Sequence, residues 1–180
     1  MSWIPIAVAL AAASIAAVTD IWRFRVYNIL TVPLMVGGLI YHGVTAGYDG
    51  LASSGLGLLF GFVVLIVPYL MGLMGAGDVK LLAGVGAWLE LSPTIIVFVV
   101  SSLVAGAYAT ALIVYRGKFS QSYEVLKLIF YRTALLGVQF GRDDLIESIA
   151  IQPDRRLRLI PYGAMIPLGV IGAVIWANWQ

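Results

Sequence analysis

The sequence predicts an all-α, polytopic membrane protein of about six transmembrane helices with one long cytoplasmic loop. Three observations predict this fold. Apolar residues make up 61% of the chain and charged residues only 11%, whereas soluble domains carry about 25% charged residues. The mean hydropathy is +0.98. The charges are concentrated between long apolar runs, so most of the surface is expected to face lipid rather than water.

The apolar runs have the length that a membrane-spanning helix needs, about 17–25 residues for ~30 Å of hydrocarbon. They lie at about 2–19, 28–47, 51–73, 93–115 and 160–179. A shorter run, 79–91, follows Asp78, and Ser92-Pro93 then favours the start of the next helix. We predict that this run also spans, which gives six crossings. A re-entrant run would give five and move the C-terminus to the other side.

The distribution of basic residues predicts the orientation, because Lys and Arg concentrate on the cytoplasmic side. If the first helix runs inward, the outside connections carry only Asp49 and Glu90. All 11 Lys and Arg residues then face the cytoplasm. Most of them lie in a loop at about 116–159, in which 122–138 has the pattern of an interfacial helix. We expect one domain over 1–180 in the cytoplasmic membrane, with both termini outside.

Cysteine is absent and His42 is the single histidine. This excludes disulfides, thiolate nucleophiles and cysteine-ligated metal sites, and no cofactor is expected. The net charge of +2 does not indicate nucleic-acid binding, since the basic residues occupy the loops that orient the chain. Near the outer end of a span, His42 is expected to be interfacial. Gly57 and Gly61 form a G-x-x-x-G pair, which favours close helix packing.

Two carboxylates stand at the cytoplasmic ends of apolar runs, Asp20 and Asp78. An ionisable group near the membrane interior is costly and is therefore a candidate for function. Asp20 ends the first run, and the third run brings the chain back to the same side before Asp78. The predicted topology therefore allows the two carboxylates to lie at the same depth and to meet.

Two carboxylates that lie close together cannot both ionise easily, so one keeps a proton. The charged member can activate water while the protonated member donates to a carbonyl oxygen, which is the chemistry of peptide hydrolysis. Gly75 and Gly77 precede Asp78, and glycines there allow unusual backbone conformations or the close approach of an extended peptide. Lys80 is expected either to favour the charged form of Asp78 or to meet lipid phosphates.

Three segments together resemble one family. GAGDVKLL, residues 75–82, is similar to the G-x-G-D signature of the type IV prepilin peptidases, a class of membrane aspartyl proteases. TDIWRFRVYNILTVP, residues 19–33, resembles the family's first motif, an Asp that ends a helix and an Asn that opens the next. RLIPYGAMIPLGV, residues 158–170, resembles a segment of its last helix. Val26-Tyr27 stands where the family usually has Ile-Pro.

The resemblance implies about six helices and a catalytic pair, Asp20 and Asp78, at the cytoplasmic face. It implies that the substrate is a membrane helix of a prepilin or pseudopilin and that the protein removes its short basic leader. Around the pair, the implied site-shaping residues are Asn28, Pro161, Tyr162 and Gly163. Because the chain starts with a span and has no cysteine, it resembles the short, peptidase-only form associated with Flp-type pili, and N-methylation is not expected.

Three alternatives stay open at the level of the sequence. A small proton-coupled transporter could use Asp20 and Asp78 as a relay, but it predicts polar residues deep within several spans. The runs 51–73 and 93–115 are almost wholly apolar at their centres. A scaffold for pilus assembly would not need the two carboxylates. An archaeal preflagellin peptidase would share the same pair and differ in its substrate.

Overall fold

The computed structural model describes residues 3–23, 26–70, 74–116 and 162–179. They form α1 (Trp3–Arg23), α2 (Asn28–Leu70), α3 (Ala76–Leu89), α4 (Leu91–Arg116), a 3-10 turn (Tyr162–Ala164) and α5 (Ile166–Ala177). No strand occurs among these residues, so the all-α prediction is confirmed. Most of the predicted loop 116–159, including the interfacial helix at 122–138, lies outside the described residues.

Within the part of the chain that the structure describes, three helices are long and apolar enough to cross a membrane. The qualifying stretches are Trp3–Asp20, Asn28–Leu70 and Leu91–Leu112. The helix α3 has 14 residues, which gives it a length of about 21 Å, less than the ~30 Å of a hydrocarbon core. The membrane character therefore follows from the helices, whereas the count of six crossings stays a prediction.

The long helix α2 is divided at Gly47, whose φ of 64° and ψ of −141° are not helical. Glycine adopts this positive φ without the steric cost that a Cβ would add. Going along the first half of α2 (28–46), the residues of α3 that it contacts rise in number. Going along the second half (48–70), they fall. The contacts are Asn28 with Lys80, Leu34 with Gly84 and His42 with Trp88, then Ser54 with Ala87 and Gly61 with Leu82. The two halves therefore run antiparallel beside α3, as predicted for 28–47 and 51–73.

The helix α3 lies at the centre of the described structure. Its residues 81–87 are all buried, and it packs against α1, α2 and α4. Close approach depends on small residues: a Cβ on Gly86 would contact the backbone of Gly57, and one on Gly61 would lie 2.6 Å from the Leu82 oxygen. The predicted packing role of the Gly57 and Gly61 pair is confirmed, and the two backbones meet without intervening side chains.

Polar side chains hold the C-terminal end of α3. The last carbonyls of a helix lack intrahelical donors, and here Ser54 Oγ donates to the Ala87 oxygen at 2.6 Å while His42 Nε2 lies 3.0 Å from the Trp88 oxygen. His42 Nδ1 is 3.3 Å from the Glu90 carboxylate. We call His42, Ser54, Trp88 and Glu90 the Trp88 cluster. His42, expected at the membrane interface, is instead buried in this cluster.

The helices α4 and α5 pack closely against each other. A Cβ on Gly169 would lie 2.5 Å from the Val97 oxygen, and one on Gly172 would lie 3.0 Å from the side chain of Val100. The run predicted at 160–179 is shorter as a helix, because the 3-10 turn precedes the 12 residues of α5. This pairing holds the turn Tyr162–Ala164 beside the middle of α4.

Candidate active site

The two aspartates predicted from the sequence lie at helix ends that face each other. Asp20 stands in the last turn of α1 and Asp78 in the first turn of α3, and each is 7% exposed. A stripe of small side chains on α1 (Ala9, Ala12, Ala13 and Ala16) is buried at helical spacing, which brings α1 close to α3. The packing of α1 against α3 therefore brings both carboxyl groups to one end of the bundle.

Gly163 marks the point where the two carboxyl groups meet. An ideal Cβ built on Gly163 would lie 3.0 Å from Asp20 Oδ2 and 3.0 Å from Asp78 Oδ1. Since both oxygens lie at that distance from one point, they are separated by no more than twice 3.0 Å. The sequence showed only that the two carboxyls could lie at the same depth. In the structure they lie close enough for a single water molecule to contact both.

Backbone groups surround the pair more than side chains do. The backbone of Gly163 interacts with both carboxyl groups, that of Ala164 with Asp20, and that of Gly75 with Asp78. Asp20 Oδ2 is buried and has no hydrogen-bond partner among the residues that the structure describes. A buried polar atom without a partner is uncommon, and this one faces the gap between the carboxyls. The site therefore has an acceptor available for a water or a peptide group.

Of the two roles expected for the glycines before Asp78, unusual backbone conformations are not observed, and the close approach of a substrate peptide stays a prediction. Gly75 caps α3 with φ −82° and ψ 151°, ordinary extended angles, and Gly77 lies within the helix. Neither needs the conformational freedom of glycine. A Cβ on Gly77 would lie 2.8 Å from Val26 Cβ and 3.2 Å from the Val26 oxygen. Gly77 thus permits close contact with the segment before α2, and Asp78 belongs to the helix rather than to a loose turn.

Lys80 pairs with Asn28 and not with Asp78. Its Nζ donates a hydrogen bond of 2.9 Å to Asn28 Oδ1 at the start of α2. Lys80 and Asn28, each of which was expected to shape the site, therefore contact each other. The contact connects the start of α2 to the start of α3. Lys80 was expected either to favour the charged form of Asp78 or to meet lipid phosphates. Its hydrogen bond to Asn28 does not support the first expectation.

The turn Tyr162–Ala164 is anchored by two serines that the sequence reasoning missed. Ser102 Oγ lies 3.3 Å from the Tyr162 hydroxyl, and Ser101 Oγ donates to the Met165 oxygen at 3.3 Å. The sequence feature that could have indicated this contact is the pair of adjacent serines in the middle of the otherwise apolar run 93–115. Pro161, also expected to shape the site, lies outside the described residues.

Metal-binding groups are not clustered in the part of the chain that the structure describes. Within residues 3–23, 26–70, 74–116 and 162–179, no group of three or more His, Asp or Glu side chains could hold a metal ion. The chemistry available at the site is that of two carboxyl groups and the backbone groups around them.

Comparisons with known proteins match the part of the chain that carries both aspartates. The sequence model of the type IV leader peptidase family matches residues 7–110. The turn Tyr162–Ala164 lies beyond this match. No solved structure shows significant similarity to the chain.

Curated relatives match over about half of the chain. A prepilin leader peptidase/N-methyltransferase of Aeromonas salmonicida (strain A449) is 38% identical over 104 residues, which cover 54% of this chain and 35% of the relative. The protein of the same name from Aeromonas hydrophila is 36% identical over 104 residues, 54% of this chain and 36% of the relative. The leader peptidase HopD of Salmonella typhimurium (strain LT2) is 37% identical over 103 residues, 49% of this chain and 61% of HopD. The matched region thus spans about a third of the two Aeromonas proteins.

Proposed function

The chain belongs to the type IV leader peptidase family, and we propose that it is a membrane-embedded aspartyl endopeptidase that removes the basic leader of type IV prepilins. Flp-type prepilins or pseudopilins are the proposed substrates, and Asp20 and Asp78 are the proposed catalytic residues. The relatives carry the name of leader peptidases. No described feature favours the transporter alternative over this activity.

The observation that carries the proposal is the pair of carboxyls at Gly163. Asp20 and Asp78 come from different helices, are buried, and both approach within 3.0 Å of one point. Burying two carboxyls together, with no cationic partner among the described residues, costs free energy because each disfavours the ionised form of the other. Such an arrangement is typical of a site that needs one carboxyl protonated and one ionised.

The proposed reaction proceeds through general acid–base catalysis. The ionised carboxyl takes a proton from water, whose oxygen bonds to the scissile carbonyl carbon, while the protonated carboxyl donates its proton to the carbonyl oxygen. In the second step the carboxyl that took a proton from water donates it to the leaving nitrogen, and the C–N bond breaks. A hydroxyl proton of the tetrahedral intermediate passes to the other carboxyl. The site ends with one proton, as it began, and the pair acts as a unit.

The proposed substrate is itself a membrane helix that lies in the lipid beside the enzyme. Its scissile bond would be presented at the cytoplasmic boundary, where the backbone must unwind to reach the pair. The position of Asp20 at the end of α1 and of Asp78 at the start of α3 supports a site on one side of the membrane. We place that side at the cytoplasm of an inner-membrane protein, with the single domain 1–180 oriented N-terminus out.

Cleavage of a co-expressed prepilin tests the proposal. The wild-type protein should shorten the prepilin, seen as a gel shift and as a new N-terminus by mass spectrometry. Asp20→Asn and Asp78→Asn should each abolish the shift while the variant protein accumulates in the membrane. Asp49→Asn is the matched control, because Asp49 is an exposed aspartate next to the break in α2, and it should process normally. Normal cleavage by either active-site variant would rule out the two-carboxyl mechanism.

A further inference from the structure

The turn Tyr162–Ala164 is the third element of the site, and Gly163 at its centre has no side chain that could react. Gly163 is buried between the two carboxyls, and its hypothetical Cβ would lie 3.0 Å from an oxygen of each and 3.3 Å from Asp20 Cγ. Real Cβ atoms rarely have contacts this short, so any side chain at this position would have to displace at least one carboxyl. The backbone of the same residue also interacts with both carboxyls.

The turn packs against α1 and α3, which carry the aspartates, and two serines of α4 also anchor it. The Tyr162 hydroxyl lies 3.3 Å from Ser102 Oγ, and the Tyr162 side chain is 5% exposed. Ser101 Oγ donates to the Met165 oxygen just after the turn. These anchors on α4 therefore add to the packing against α1 and α3 in setting the position of Gly163.

From this geometry we infer that Gly163 is a positioning residue, which α4 holds through Tyr162 and Ser102, and that its missing side chain lets the two carboxyls share one proton. The inference rests on the proposed peptidase function and extends it to a segment outside the family match. Gly163 does not itself react. Its backbone is a common neighbour of both carboxyls, and the absence of a Cβ keeps the gap between them small enough for a single water.

The physical consequence concerns the coupling between the two acids. Two carboxyls that interact strongly titrate in two well-separated steps, and the singly protonated pair persists over a wide pH range between them. A methyl group at residue 163 would push the carboxyls apart and weaken their interaction. The steps would then lie closer together, and the pH range in which cleavage is fast would narrow.

The test compares three glycine-to-alanine variants in the cleavage assay. Gly163→Ala adds a methyl group between the carboxyls. Gly172→Ala is the matched control, since its Cβ also meets a neighbour at 3.0 Å, but that neighbour is the Val100 side chain and not a carboxyl. Gly106→Ala adds a methyl where nothing lies within 4 Å. Rates are measured across pH with detergent-solubilised, full-length protein and a purified prepilin.

We expect Gly163→Ala to lower kcat by about 10- to 100-fold, as small displacements of reacting groups do, with KM little changed and a narrower pH–rate profile. Gly172→Ala and Gly106→Ala should keep the width of the wild-type profile even if their yield falls. A Gly163→Ala profile with the wild-type rate and width would overturn the inference while leaving the peptidase function intact.

Tyr162→Phe keeps the test decisive if Gly163→Ala does not accumulate in the membrane. It retains the ring and removes only the hydroxyl that pairs with Ser102. We expect a several-fold loss of kcat with the same narrowing of the profile, and a wild-type profile would refute the inference. If the wild-type protein itself fails to cleave, or Asp20→Asn and Asp78→Asn cleave as well as it does, the proposed function fails and this inference fails with it.

Discussion

The two ends of α3 differ in whether their buried polar groups have hydrogen-bond partners. At the Trp88 end, Ser54 and His42 contact the last carbonyls of the helix, which have no partner within it. The Trp88 indole donates to the Leu34 oxygen at 2.8 Å, and Glu90 contacts His42. At the Asp78 end, two acids face each other across a glycine, and Asp20 Oδ2 has no partner among the described residues.

The difference separates groups that stabilise the fold from the two carboxyls that we propose as catalytic. A buried polar group that is paired contributes modestly to stability, and breaking the pair costs about 1–3 kcal/mol. A buried carboxyl oxygen without a partner costs free energy in the resting protein and is therefore expected where an acceptor is used in a reaction. Variants at the Trp88 end should therefore change stability, and variants at the Asp78 end should change activity.

The largest effect on activity is expected for the aspartates, and it should come without a loss of stability. Asp20→Asn removes one of two acids with little change of shape, and the new amide can donate to the remaining carboxyl. Cleavage should fall by about a thousandfold or more, as when a general acid or base is lost. The unfolding midpoint of the purified variant should equal or exceed that of the wild type, and a fall of several degrees would contradict the contrast between the two ends.

Gly86→Ala should produce the largest loss of stability. A Cβ on Gly86 would meet the backbone of Gly57, with the Gly57 carbonyl carbon at 2.6 Å, so the two helices must separate. Overpacking of this kind costs about 3 kcal/mol. The measurement is thermal unfolding in detergent, with Gly55→Ala as control because nothing lies within 4 Å of its Cβ. Equal midpoints for the two variants would show that α2 and α3 are not in close backbone contact.

His42→Ala should lower stability by about 1–3 kcal/mol, because it leaves the Trp88 oxygen and the Glu90 carboxylate without their partner. At temperatures well below unfolding, its cleavage rate should match the wild type, since His42 lies at the opposite end of α3 from Asp78. Parallel unfolding and cleavage assays check both statements. A large drop in rate without a drop in stability would mean that the Trp88 cluster takes part in the activity.

The smallest effect is expected for the exposed contact between Lys80 and Asn28. Lys80→Met and Asn28→Ala should each cost less than about 1 kcal/mol, and the double variant should cost no more than either alone, because both remove the same 2.9 Å hydrogen bond. Cleavage should change by less than about threefold. Additive losses in the double-mutant cycle would show that the two residues act separately.

The sequence predicted the elements whose signal is local. Apolar length and flanking charge placed α1 and α4 within a few residues of their observed ends, and the predicted boundary between the runs 28–47 and 51–73 lies next to the break at Gly47. Asp20 and Asp78 stood out because a carboxylate at the end of an apolar run is rare and costly. These inferences need only the residues near each position in the chain.

Contacts between distant segments could not be predicted in the same way. Gly163 meets Asp20 and Asp78 because its turn packs against α1, α3 and α4, where Ser102 lies beside Tyr162, and no local pattern reports those contacts. The role of His42 depends on where α3 ends, since the carbonyl that it contacts is free only at a helix terminus. The close contact of Gly77 could not be predicted for a related reason, because its neighbour, Val26, belongs to another segment.

The turn that carries Gly163 meets α4 at Ser102, whereas the apolar stretch of α4 continues to Leu112. Along the helix axis this leaves up to about 15 Å of apolar helix beyond the turn. The apolar stretch of α1, by contrast, ends at Asp20 itself. If the leader of the proposed substrate approaches from the cytoplasmic side, it must pass along this apolar part of α4, so the cost of moving polar groups past an apolar surface becomes part of the proposed cleavage.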